Sequence, residues 1–166
     1  MKKLTSENIK LIVTDFDGVL TDNRVIVDEN GKEAVVCNRS DGLAFDVLKK
    51  VELEIMILST EKNSVVEKRA NKLGVAAIGG SSNKLSSIED ICFKKGISMN
   101  EILYIGNDLN DYDCISNCGF TACPNDSHKK IKEIADYVLI TNGGDGVIRE
   151  IVEDILRLDT YNLLYG

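Results

Sequence analysis

Two aspartates, Asp15 and Asp17, stand two residues apart where the apolar stretch Ile12-Val13-Thr14 runs into Gly18. An apolar run bounded by turn residues reads as a buried parallel strand. Ligands and chemistry collect just beyond the carboxyl ends of such strands. The spacing therefore predicts both carboxylates at one strand tip, with Gly18 letting the backbone turn away. Carboxylates crowded together repel unless a cation, a proton or a phosphoryl group relieves them. The pair suits the binding of Mg²⁺ and attack on phosphorus.

Three further groups follow the ends of later strand-like runs. Residues 54–58 lead into Ser59-Thr60-Glu61-Lys62-Asn63, where a hydroxyl is placed to donate to a phosphate oxygen. The alternative role there is a helix N-cap by Ser59, Thr60 or Asn63. Lys84 opens an amphipathic stretch after Ser81-Ser82-Asn83. It is a cation that can neutralise phosphate charge, with a solvated surface position as the alternative. Residues 102–105 lead into Gly106-Asn107-Asp108-Leu109-Asn110-Asp111, an oxygen-rich turn of the kind a hard cation prefers; a turn of side-chain caps is the competing reading.

The elements that must position these groups alternate along the chain. Strands are expected at 10–14, 54–58, 76–78, 102–105, 120–123 and 137–140, and helices at 43–51, 64–73, 84–95, 111–117, 128–135 and 147–158. Strand and helix in alternation mean βαβ units, a parallel sheet and an α/β fold. One segment breaks the rhythm: residues 24–27 and 34–37 flank Asp28-Glu29-Asn30-Gly31-Lys32, and Asn-Gly between strand-like runs signals a β-hairpin. The 166 residues suffice for one domain with a core of its own. Lys and Arg number 20 against 27 Asp and Glu, a formal charge of −7, so a nucleic-acid surface is not expected. No apolar run reaches the roughly 20 residues of a membrane span. The first eight residues contain no apolar leader segment, and a cytoplasmic protein is expected. The five cysteines lack CxxC spacing and the only histidine is His128, so reduced, mostly buried thiols are expected rather than a zinc site.

At these residues the chain resembles the haloacid dehalogenase-like phosphohydrolases. Asp15-Phe16-Asp17-Gly18-Val19 is similar to the family's first motif, Ser59 to its second, Lys84 to its third and residues 106–111 to its fourth. The resemblance runs from about residue 9 to residue 158. It implies one Rossmann-like domain over residues 1–166, flanked by helices, with the first-motif strand central; most of the family carry a cap domain, but residues 18–58 and 60–83, taken up by the hairpin, helices and a strand, leave no room for one here. It implies that Asp15 is the nucleophile, forming an aspartyl-phosphate. Asp17 would protonate the leaving oxygen and later activate water. Mg²⁺ would be held by Asp15, by the Asp17 carbonyl and by the fourth motif. One position departs from the pattern: the family places an aspartate directly after the fourth-motif glycine, and this chain has Asn107. Its amide oxygen, Asp108 or a water-bridged Asp111 is then expected to complete the metal site.

The absence of a cap narrows the resemblance to the sugar-acid branch, which comprises phosphatases of 3-deoxy-octulosonate 8-phosphate and of nine-carbon acylneuraminate 9-phosphates. Within it, Asn38, Ser40, Asp41 and Gly42 match the branch's substrate loop, and Arg69 and Lys62 would hold a substrate carboxylate. The octulosonate enzymes usually carry arginine where this chain has Glu61, which favours the nine-carbon ester. Relatives of this branch are tetramers, and the hairpin is expected to roof a neighbouring chain's site in a homotetramer. A second class is a catalytically weak or silent module that oligomerises or supports an acylneuraminate cytidylyltransferase, the reading that Asn107 favours.

Overall fold

The computed structural model describes residues 4–166; the first three residues of the stretch read above for a leader lie outside the described residues. A six-stranded, wholly parallel sheet forms the middle layer: β1 (Leu11–Thr14), β4 (Glu54–Leu58), β5 (Ala76–Ile78), β6 (Ile102–Ile105), β7 (Phe120–Cys123) and β8 (Tyr137–Val138). Its spatial order is β5-β4-β1-β6-β7-β8. The chain therefore steps one way from β1 to β4 and β5, then crosses back to β6 on the other side. That reversal opens a crevice at the carboxyl end of β1, where Asp15 begins.

All four residues of β1 are buried, as a strand covered on both faces must be. Alternation sends its side chains to two cores. Ile12 joins Ile55, Leu103, Phe45 and Leu48 beneath α1 (Arg39–Lys50) and α2 (Ser64–Leu73), while Leu11 and Val13 join Met56, Ile88, Ile91 and Cys114 beneath α3 (Lys84–Lys95) and α4 (Tyr112–Asn117). Caps fix the helices as their sequences require. Asn63 and Asn83 accept from backbone N–H groups at the starts of α2 and α3, and Gly74 and Gly96 end them in the left-handed conformation, at φ 68° and 66°.

Five of the six expected strands and the helices 64–73 and 84–95 fall where the pattern puts them. The differences have local causes. α1 begins at Arg39, earlier than the apolar periodicity suggests, because Asn38 caps it by accepting from Ser40 N. β8 stops at Val138 because the Ile140 and Thr141 N–H groups donate to buried Glu150 instead of a neighbouring strand. The last expected helix is α6 (Val147–Glu150) followed by a wide π-helical turn, Ile151–Ile155, and Arg157 then takes φ 56°. An unexpected short helix, α7 (Thr160–Tyr165), is capped by Asp159. α5 (Lys129–Ile134) completes the helical layers and is capped by exposed His128.

The hairpin is present but brief. β2 (Ile26–Val27) pairs antiparallel with β3 (Glu33–Ala34), and a single Thr21–Cys37 bridge ties its base. Asp28 Oδ1 closes the turn by accepting from Asn30 N and Lys32 N. With no third strand beside it, Val25, Ile26, Val27 and Val36 stand 50–64% exposed.

Candidate active site

β1 ends in a single tight turn that presents Asp17. The Phe16 carbonyl accepts from Leu20 N at 2.9 Å and Thr21 N at 3.2 Å, and buried Thr21 Oγ1 accepts from Gly18 N at 3.2 Å. Gly18 sits at φ +80°, and a Cβ there would overlap the Asn107 amide. Glycine is therefore required on both counts.

Asp15 is almost wholly buried. Its Oδ1 accepts from Phe16 N at 2.7 Å and its Oδ2 meets Lys84 Nζ at 2.8 Å. Lys84 also donates to Asp111 Oδ1 at 2.7 Å, and the side chains of all three residues are at most 5% exposed. The surface alternative for Lys84 is thus excluded. Asp111 is saturated: Oδ1 additionally accepts from the Tyr104 hydroxyl at 2.6 Å, and Oδ2 accepts from Asn107 N and Asp108 N at 2.8 and 3.2 Å. Gly106 makes room for it, since a Cβ there would lie 2.5 Å from Asp111 Cγ. The expectation that Asp111 reaches a cation through water is corrected: its carboxylate is spent on aiming Lys84 and shaping the 106–108 turn. Removing one member of such a buried charge network costs about 3–5 kcal/mol.

The charges shape one another. Burial, then the Asp111 carboxylate, pushes Asp15 up to about 8, against the opposing pull of Lys84. Burial works to lower Lys84, but its two carboxylates outweigh this and hold it above the ordinary lysine value. Burial, then Glu61, lifts Asp17 above the usual carboxylate range, with Glu33 adding and Lys84 opposing. Both carboxyls are therefore raised, and Lys84 opposes the shift of each.

Asp15, Asp17, Thr60, Glu61, Asn107 and Asp108 line one cavity of about 510 Å³. Asn23, Arg24, Val25, Glu33 and Val35 enclose it from the hairpin side. Buried Ser59 sits at the tip of β4, and its hydroxyl accepts from Glu61 N at 3.1 Å, which leaves its proton free to donate. The donors facing a cation are hard oxygens: two carboxylates and the Asn107 Oδ1, a buried acceptor with no hydrogen-bond partner. Among the described residues no three His, Cys, Asp or Glu side chains form a metal cluster, so the amide and backbone oxygens would have to contribute. That set fits a small divalent cation and not zinc.

The residues matched to a substrate loop lie elsewhere in this chain and do not line the cavity. Asn38 and Ser40 bond to each other at the start of α1, and the Asn38 carbonyl accepts from Arg69 Nη2 at 2.9 Å. Asp41 is buried, its Oδ1 accepting from Ile148 N and Arg149 N at the start of α6. Gly42 and Arg69 border a separate depression between α1 and α2, and Lys62 packs over Gly80. Sequence reading also passed over Tyr104 and Arg24. A phenol in the middle of an aliphatic buried strand was the available signal for the first; Arg24, five residues beyond the first motif, carried none.

Residues 44–151 match the model of the haloacid dehalogenase-like hydrolases. The 3-deoxy-D-manno-octulosonate 8-phosphate phosphatase KdsC of Escherichia coli K12 is 33% identical over 152 residues, covering 91% of this chain and 81% of that protein. A crystal structure of the corresponding phosphatase from Moraxella catarrhalis, in complex with magnesium, phosphate and KDO, is 30% identical with a TM-score of 0.88, covering 94% of this chain and 90% of that one. The cobalt-bound phosphatase from Haemophilus influenzae is 31% identical with a TM-score of 0.86, covering 92% and 90%. With the parallel sheet, the paired aspartates and the buried lysine in place, the chain belongs to the haloacid dehalogenase-like hydrolases, as one of their phosphoric monoester hydrolases.

Proposed function

We propose that this chain hydrolyses a sugar-acid phosphate monoester through an aspartyl-phosphate on Asp15, with Mg²⁺ as its cofactor. The observation that carries the reading is the Asp15–Lys84–Asp111 network opening onto the cavity that Asp17 also lines. Asp15 is held by Phe16 N and Lys84 so that attack on phosphorus loses little orientational freedom. Lys84, at 2.8 Å from Asp15, offsets the negative charge of a phosphoryl group placed there. Asp17, whose carboxyl burial and Glu61 raise above the usual range, is placed to donate to the leaving oxygen, and as a carboxylate it then takes the proton of the attacking water. Asp15, the Asp17 carbonyl and Asn107 would hold Mg²⁺, with Asp108 beside them. Bound there, such an ion would supply positive charge that favours the ionised form of Asp15 and offsets charge developing on phosphorus.

The similar phosphatases named for the eight-carbon ester support 3-deoxy-octulosonate 8-phosphate as substrate. Glu61 favours a second reading. It is a carboxylate inside the cavity, suited to accept from the hydroxyl or acylamino groups of a nine-carbon sugar acid. Phosphate release from both esters, with and without Mg²⁺, tests the proposal. Mg²⁺-dependent release from either supports it, and release from neither contradicts it. A wild-type preference for the eight-carbon ester that Glu61→Arg leaves unchanged would remove Glu61 as the determinant of substrate length. The exposed valines and isoleucine of the hairpin, whose Val25 borders the cavity, support a homotetramer in which hairpins cover neighbouring sites.

A further inference from the structure

The turn that carries Asp17 is backed by a second glycine loop. Gly144 N donates to the Val19 carbonyl at 3.0 Å. A Cβ on Gly143 would come within 2.2 Å of the Gly18 carbonyl oxygen, and one on Gly144 within 2.5 Å of Asp22 N. Backbone therefore lies directly on backbone, and a displacement of the 142–145 loop is transmitted to the 16–21 turn.

What holds that loop is Asp126. Its Oδ1 accepts from Gly143 N at 2.9 Å across 17 residues of chain. The segment around Asp126 is itself fastened to both partners: Asn125 N donates to the Thr141 carbonyl at 2.9 Å, Asn125 Nδ2 to Asn142 Oδ1 at 3.1 Å, and His128 N to the Asn107 carbonyl at 2.8 Å. Asn107 in turn packs against Gly18. Four loops from four strand ends thus close a ring, and among the described residues the Asp126 carboxylate is its one side-chain link to Gly143. Asp126 is solvent-exposed and does not line the cavity.

We propose that Asp126 is a positioning residue for Asp17: by fixing Gly143 against Gly18, it sets where the Asp17 carboxyl stands relative to the leaving oxygen. The inference rests on the phosphatase reading above and on the acid role of Asp17 within it. It has a chemical signature that general loosening of the fold lacks. A sugar alkoxide needs a proton to leave, whereas 4-nitrophenolate does not, so a misplaced acid slows the first ester and spares the second. The quantity to compare is kcat/KM, which reports the steps through transfer to Asp15 for either ester.

The experiment measures kcat/KM with Mg²⁺ for 3-deoxy-octulosonate 8-phosphate and 4-nitrophenyl phosphate in the wild type, Asp126→Ala, Asp126→Asn, Asp17→Asn and the Asp17→Asn/Asp126→Ala double variant. Asp126→Ala is expected to lose about 30-fold on the sugar ester and less than about threefold on the aryl ester. Asp126→Asn keeps an acceptor oxygen for Gly143 N and is expected to stay within about threefold of wild type on both esters. In the Asp17→Asn background the alanine substitution is expected to add no further loss. Equal losses on the two esters, no loss on either, an Asn variant as impaired as Ala, or a full multiplicative loss in the double variant would each overturn the role of Asp126. A wild type inert toward both esters would instead overturn the phosphatase reading on which the inference stands.

Discussion

Asn107 is the residue that separates this site from the usual acidic fourth motif, and its geometry decides how the difference should be read. Its backbone N–H is bound by Asp111, its amide packs on Gly18, and its Oδ1 is left as a buried acceptor with no partner. A buried unpaired oxygen costs free energy unless something meets it, and a cation is the partner that the neighbouring carboxylates would share. Asn107→Asp adds a charged oxygen at that point and is expected to tighten Mg²⁺ binding by roughly tenfold in calorimetry on the otherwise unliganded protein. An unchanged affinity would place the side chain away from the metal. At this scale the sequence was legible where chemistry demanded residue types in a fixed spacing, as with Asp15, Asp17 and Lys84. It was misleading for Asp111, which offers the right oxygen atoms but is wholly engaged by Lys84, Tyr104 and two backbone N–H groups. Spacing along one chain does not reveal which lone pairs a partner 27 residues away has already taken.

At the level of elements, α1 and α6 are joined by Asp41. Its carboxylate receives Ile148 N and Arg149 N, two of the orphan donors at the start of α6, while its Oδ2 has no hydrogen-bond partner. Burial raises this carboxyl from 3.8 to about 6, against the two N–H groups and the charges of Arg69 and Arg149. A carboxyl whose pKa is raised by folding holds its proton more tightly in the folded chain. Its contribution to stability is therefore full below the unfolded value of 3.8 and is lost as pH rises through about 6. Asp41→Asn keeps the acceptor and removes the charge. Its stability relative to wild type, from urea melts, is expected to be about 1 kcal/mol more favourable at pH 7.5 than at pH 5. The same offset at both pH values would contradict the assignment. The segment Asn38-Arg39-Ser40-Asp41-Gly42 shows why element boundaries were less legible than strand cores. β1, β4 and β6 announce themselves by continuous apolar runs, whereas a polar stretch reads equally well as a ligand loop or as a helix start. Within this chain Asn38 caps α1, and Asp41 accepts from two backbone N–H groups in the first turn of α6. The π-helical turn 151–155 has no sequence signal of its own, since its apolar residues fit an ordinary helix equally well.

For the molecule as a whole, the sheet order places a cavity at the point where the strand sequence reverses; the hairpin borders it through Val25 and Val35, and leaves Ile26, Val27 and Val36 exposed beside it. Ile26 is 63% exposed, so Ile26→Asp removes little packing within one chain. In a homotetramer closed by hairpins it is expected to dissociate the assembly in analytical ultracentrifugation and to lower activity with it. A wild-type monomer with full activity would rule out roofing by neighbouring chains. The alternation of strands and helices made the architecture legible from sequence, and the Asn-Gly turn made the hairpin legible. What closes over the cavity was not, because that depends on surfaces and not on the periodicities that bury a core. The central claim concerns a bond to a single atom group, and it is tested most directly by acid-quenching the enzyme during a single turnover of 3-deoxy-octulosonate 8-phosphate with Mg²⁺ and locating any phosphoryl adduct by peptide mass spectrometry. The account predicts an adduct on Asp15 that forms and decays within the turnover; an adduct on another residue, or phosphate released with Asp15 never modified, would contradict it.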